Sequence, residues 1–255
     1  MTEQTMKNRG SLDDALAVMR DLRRRCDWDA AQTHQSLRPY LIEESLEVDD
    51  AIRAGNDPLL REELGDLLLQ VLFHSVVAEE RGAFDIADVA GGLVHKMRDR
   101  HPHLFGGGEK VDWETHKAKK PRDSVADGLP VDLPALHRAH RLQDRAAGMG
   151  FDWPDATGPA LKVEEELREA EAELAASNGA ASPRLESELG DLLFAVVNLC
   201  RKSGVHAALA LEQANLKFVR RLDGVTTLAR ARGVDLAALD LAGLDQLWDE
   251  VKRGE

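Results

Sequence analysis

"IEESLEVDD" (Ile42–Asp50) places five carboxylates in nine residues, and "ELGDLL" (63–68) begins sixteen residues after Glu47. The same pair of phrases returns as "VEEELREAEAEL" (163–174) and "ELGDLL" (188–193). On a helix, residues three apart share a face. Glu44 therefore lies with Glu47, Glu63 with Asp66, Glu166 with Glu169, and Glu188 with Asp191. Each acidic helix is separated from the next by a short turn, "GNDP" (55–58) or "SNGAASP" (177–183). A short turn makes neighbours antiparallel, so the acidic pairs face one another.

The repetition extends beyond the acids. "CDWDAAQT" (26–33) matches "FDWPDAT" (151–157), with Trp28 and Trp153 125 residues apart. Glu44 and Glu166 lie 122 apart, Glu63 and Glu188 125, Arg100 and Arg221 121. Trp113 with Lys117 and Trp248 with Lys252 close each half. The chain reads as two copies of one domain, 1–128 and 129–255, punctuated by Gly128, Pro130 and Pro134.

The predicted architecture is all-α. The chain is 43% hydrophobic and only 4% aromatic, and no segment alternates with period two, which favours helix over strand. Helices are expected at 11–26, with Ser11 as N-cap, and at 37–54, 59–81 and 85–100. In the second half they are expected from 135 to Gly148 or Gly150, and over 158–176, 183–203 and 206–232. The net charge of -13 argues against duplex nucleic acid, which requires clustered Lys and Arg. Cys26 and Cys200 form no CxxC and read as reduced thiols. No apolar run approaches a membrane span, and "MTEQTMKNRG" is no signal peptide, so a cytoplasmic protein is expected.

Helices 59–81 and 183–203 are apolar almost all round, which places them in the interior. Carboxylates on such helices need a partner. Four converging acids with only oxygen donors point to Mg²⁺ or Mn²⁺. A di-iron site is disfavoured, since no acid in the set is followed by histidine three residues on. Gly65 and Gly190 beside the acids indicate close helix contact or room for a ligand, because a mid-helix glycine costs about 1 kcal/mol. The same two helices carry apolar residues on more faces than one small domain covers, so a homodimer is expected.

The pattern EExxE followed by ExxD on the next helix resembles the MazG nucleoside triphosphate pyrophosphohydrolases, from about Leu12 to the C-terminus. "GDLLFAVVNL", "DRHPHLFG" and "QANLKFVRRL" add to the likeness. The resemblance implies a tandem all-α fold of four-helix bundles, usually dimeric. It also implies Mg²⁺-dependent hydrolysis of a nucleoside triphosphate to the monophosphate and pyrophosphate. Carried over by residue, the metal ligands are Glu166, Glu169, Glu188 and Asp191, and in the first copy Glu44, Glu47, Glu63 and Asp66. Glu165 or Glu188 would orient the attacking water. Lys217, Arg220 and Arg221 would meet the phosphates, Asn215 would bond to substrate, and Lys252 and Trp248 would reach the nucleotide, Trp248 by stacking on the base.

The second copy is expected to carry most of the activity. Aligning Lys96 with Lys217 and Arg100 with Arg221 sets Val94 against Asn215 and Asp99 against Arg220. The first copy thus has an anion where the second has a cation. A non-catalytic nucleotide sensor and a helical scaffold are the alternatives. Mg²⁺-dependent pyrophosphate release separates enzyme from sensor, and stabilisation by nucleotide separates sensor from scaffold.

Overall fold

A computed structural model of the chain describes residues 10–107 and 123–255, so Trp113 and Lys117 lie outside the described residues. Eleven α-helices and one 3₁₀ turn account for the secondary structure among the described residues, with no strand. The chain divides into two compact units, Met1–Lys110 and Val111–Glu255. No single helix among the described residues is long and apolar enough to cross a membrane.

In the first unit α1 is Leu12–Arg25, α2 Asp27–Ala31, α3 His34–Ala54, α4 Asp57–Glu79, α5 Ile86–Arg100 and α6 Pro102–Phe105. Local chemistry sets these boundaries. Ser11 and Asp14 form a reciprocal capping box at α1. Thr33 and Ser36 do the same at α3, which starts three residues before the expected Leu37. Such a cap contributes about 1 kcal/mol. Gly55, at φ +61°, ends α3 in the left-handed conformation that glycine adopts without strain. Asn56 then caps α4, so two residues turn the chain back and α3 packs on α4. Leu16, Met19, Leu37, Leu72, Phe73, Val76 and Val77 form the core. Arg20 clamps α1 to the end of α4 through Glu79, 2.9 Å away.

The second unit comprises α7 (Ala135–Gly148), α8 (Thr157–Ala176), α9 (Pro183–Lys202), α10 (Ala207–Ala231), the 3₁₀ turn Leu236–Ala238 and α11 (Leu241–Arg253). Ser182 caps α9 and Pro183 stands at its first position, where a missing N–H costs nothing. The α8–α9 hairpin repeats the α3–α4 hairpin, while α7 packs on α9 and α10. Val225, Ala229 and Leu247 knit the end of α10 to α11.

One expectation needs correction. Within the chain, α4 and α9 are buried on one side only. Leu64 and Val71 on α4, and Leu189, Leu193 and Phe194 on α9, are exposed, Leu193 by 59%. A two-layer unit of this size covers about half of a helix's circumference, and these sequences are apolar beyond that arc. The two glycines mark open space rather than tight packing: a Cβ at Gly65 or Gly190 meets nothing within 4 Å.

Candidate functional site

The α3–α4 and α8–α9 hairpins bring equivalent carboxylates together. Oxygens of Glu44, Glu47 and Glu63 lie within 4.8 Å of one another, and so do those of Glu166, Glu169 and Glu188. Asp66 and Asp191 stand beside these sets, close enough to act electrostatically on Glu63 and on Glu188. Burial, and then the charges of Asp66 and Glu47, push the Glu44 carboxyl above the usual carboxylate range. Burial followed by Glu47 and Asp66 does the same to Glu63. Burial followed by Glu169 and Asp191 does the same to Glu188. Like charge therefore faces like charge in both units. An all-oxygen, converging, under-compensated donor set fits a hard divalent cation.

The two sets differ in their company. The neutral Gln70 amide stands beside Glu44 and acts to lower its carboxyl. Glu166, only 5% exposed, pairs with Lys162 one turn earlier on α8 at 2.5 Å. Lys162 also reaches Glu165 at 3.0 Å; Glu165 itself is not one of the three converging carboxylates. The bonds to Glu166, then Glu165, hold the Lys162 ammonium firmly protonated.

Lys162, Glu166 and Asp191 also line a cavity of about 420 Å³ in the second unit, with Phe151, Trp153, Gln143 and Asn198 among its other walls. The segment carrying Phe151 and Trp153 is tied down by Asp152, which bonds to Arg201 and, at 3.1 Å, to Lys202 at the end of α9. Burial would raise the Asp152 carboxyl, but those two cations outweigh it and hold it below the usual range.

The predicted cations sit on α10 and α11. Arg220 and Arg221 both bond to the Glu255 carboxylate, at 2.9 and 2.7 Å. They pull that group down to about 2, Arg221 contributing more. The Arg221 guanidinium stacks over Trp248 at 5.8 Å, and Trp248 packs against Phe218 at 5.5 Å. Asn215, Lys217 and Lys252 are exposed. In the first unit, Asp99 faces His95 at 3.5 Å on α5. Lys162 and the cavity were missed by the sequence reading. The i, i+3 and i, i+4 spacing of Lys162 to Glu165 and Glu166 was the available signal for the lysine. The cavity had none, because its walls come from segments far apart in sequence.

The chain matches the MazG nucleotide pyrophosphohydrolase domain over residues 32–105. It is 43% identical to the nucleoside triphosphate pyrophosphohydrolase/pyrophosphatase MazG of Thermotoga maritima, over 98% of this chain and 99% of that protein. It is 41% identical to the nucleoside triphosphate pyrophosphohydrolase of Escherichia coli K12, over 96% and 98%. It is also 41% identical to the uncharacterized protein YabN of Bacillus subtilis, spanning 94% of this chain and 51% of that one.

Proposed function

The chain belongs to the MazG family and is a nucleoside triphosphate pyrophosphohydrolase; from that premise we propose that it works with Mg²⁺, mainly in the second unit, on both ribo- and deoxyribonucleoside triphosphates. The observation that carries this reading is the meeting of Glu166, Glu169 and Glu188 beside the cation Lys162 and an open cavity. Glu166, Glu169, Glu188 and Asp191 are the proposed ligands of Mg²⁺, with Mn²⁺ as substitute. Glu44, Glu47, Glu63 and Asp66 are the proposed second set.

A bound Mg²⁺ would polarise the phosphate oxygens and neutralise charge developing on the leaving pyrophosphate. The protein's own groups do the rest. Glu165 or Glu188 orients a water molecule and takes its proton as its oxygen bonds to phosphorus. The α–β anhydride bond then breaks, leaving the nucleoside monophosphate and pyrophosphate. Lys162 offsets the crowding of the acids and offers N–H donors to phosphate oxygens. Lys217, Arg220 and Arg221 neutralise the triphosphate, and Asn215, Lys252 and Trp248 contact the nucleotide.

The test is a screen of all ribo- and deoxyribonucleoside triphosphates for pyrophosphate release. Activity should vanish in EDTA and return with Mg²⁺ or Mn²⁺; full activity without metal overturns the mechanism. A homodimer is part of the same reading. The exposed Leu189, Leu193 and Phe194 on α9, and Leu216, Phe218 and Val219 on α10, form apolar surface suited to a second copy. Light scattering should give twice the chain mass of 28.1 kDa, and a monomer at micromolar concentration would refute it.

A further inference from the structure

We infer that His137, His140 and His206 form a proton-sensitive joint in the second unit: neutral, the three rings hold α7 against the start of α10, and charged, they part the two helices. The rings make one cluster. His206 packs against His137 with centroids 4.9 Å apart and against His140 at 4.5 Å. His137 and His140 lie one turn apart on α7, and His206 is the residue that precedes α10. α7 packs on both α9 and α10. The nitrogens are not a metal set, because among the described residues only the two carboxylate clusters bring three such donors within 4.8 Å.

The cluster suits neutral imidazole. A neutral ring carries one N–H and one lone pair, whereas the cation carries two N–H donors. The His140 side chain is 15% exposed, and its Nε2 faces the Asp144 carboxylate at 3.7 Å. Its Nδ1 is buried without a partner, and so is Nδ1 of His206. A neutral ring can leave a lone pair there; the cation would bury a donor with no acceptor, which is costly. Arg141 and Asp144 on α7, Arg201 on α9 and the His206 ring at α10 are the titratable and charged groups that act on the α7 pair. Burial, then His206 and Arg141, hold His137 below the ordinary histidine range against the pull of Asp144. Burial is also the main cause at His140, where Asp144 opposes it and His206, Arg141 and Arg201 add to it. Asp144 is a weak counterweight, since Arg141 already holds it at 2.6 Å. The free N–H groups at the start of α10 place further positive potential under His206.

The first unit builds the same corner differently. Counting 121 residues along, as from Arg100 to Arg221, sets Asp85 against His206. Asp85 caps α5 by accepting from the Ala87 and Asp88 N–H groups at 2.8 and 3.0 Å. His206 makes no such bond, and α10 begins without a side-chain cap. Its ring is engaged by the two histidines of α7 instead. α10 also carries Asn215, Lys217, Arg220 and Arg221, so the joint governs how firmly that helix is held.

A histidine held low when folded and free to charge when opened contributes stability that is complete above about pH 6.5 and is lost as pH falls below it. Amide hydrogen exchange of α7, corrected for the intrinsic effect of pH, reads this locally. A local readout is needed because His74 in the first unit is also held low, by burial and then by His34. No nucleotide enters the measurement, so its outcome is independent of the hydrolase reading. Protection of α7 should be level above about pH 7. Below about pH 6.5 it should fall by roughly 10- to 100-fold per pH unit, tenfold for each of two histidines that charges only on opening. His137→Gln with His140→Gln should make protection level across that range. His206→Asp supplies the cap that Asp85 gives α5 and sets an anion beside the α7 pair, so protection should hold or rise as pH falls. A fall of the same size in the glutamine pair, an equal loss at every pH in both variants, or wild-type protection that does not vary with pH overturns the joint.

Discussion

In the first unit Glu44 meets Gln70; in the second Glu166 meets Lys162. Position 40, which corresponds to 162, is Tyr40, and its ring packs edge-on against Trp28 at 6.2 Å. The carboxylate geometry is otherwise shared, three oxygens within 4.8 Å in each unit. The units therefore differ little in what would hold a divalent cation and much in what surrounds it. One hairpin adds a neutral amide, and a cavity of about 340 Å³ in that unit is lined by Val18, Met19, Leu22 and Leu69 and by none of the converging acids. The other adds an ammonium and a cavity of about 420 Å³ that Glu166 and Asp191 line. Metal binding and catalysis make separate demands on a protein: the first needs a converging donor set, the second also needs cations and room where charge moves.

The comparison is broken most directly by removing the acids from one unit at a time. Glu169→Gln with Asp191→Asn should cost on the order of 10³-fold in kcat/KM or more, as loss of the charge-stabilising centre does. Glu47→Gln with Asp66→Asn should leave pyrophosphate release within about threefold of wild type, the range of an indirect effect. Circular dichroism establishes that both variants are folded. The opposite pattern would transfer the active centre to the first unit.

A finer test exchanges the companions of the acids. Lys162→Met should reduce kcat/KM for ATP by roughly 10- to 100-fold, the scale of one phosphate-directed cation. Lys162→Arg should recover part of the loss, because a guanidinium also donates to phosphate. Equal activity in Lys162→Met and wild type would mean that the lysine serves only to pair Glu165 and Glu166.

The smallest effect concerns stability. Asp152→Asn removes the charge that ties the Trp153 segment to α9, and should cost about 1–3 kcal/mol at pH 7 in urea denaturation. The folded Asp152 carboxyl titrates below the ordinary Asp value of 3.8. Its contribution is thus present above pH 3.8 and is lost as pH falls through the folded value. Wild type and variant should therefore converge in acid and diverge towards neutrality. A constant difference across pH 3–7 would show that the effect is packing rather than charge.

Much of this was legible before any coordinates. The cap at Ser11 and the turns at Gly55 and Asn178–Gly179 are local chemistry, and so is the Thr33–Ser36 cap, although the expected helix began at Leu37 and passed over it. Helical period fixes which residues share a face, so Glu44 with Glu47, and Glu166 with Glu169, followed from spacing alone. Repetition did the remainder, since one duplicated pattern makes a chance arrangement of acids implausible. These conclusions depend on residues within a few positions of one another, and the chain carries that information along its length.

The tertiary structure decided what each face meets. Spacing treats Glu165 and Glu166 as neighbours, but a helix turns 100° per residue, so packing draws Glu166 inward and leaves Glu165 to Lys162. Arg220 and Arg221 were read as cations for phosphate, and the fold sets Glu255, more than thirty residues on, between them. The apolar flanks of α4 and α9 were read as interior, and Leu64, Val71, Leu189, Leu193 and Phe194 among them face outward. The cavity depends on α7, α8, α9 and the Trp153 segment arriving together with Ala195 in place of a larger side chain. Contacts between segments fifty residues apart have no period and no motif, because they are set by how whole helices pack, and that packing is what separates two units written with the same acidic phrases.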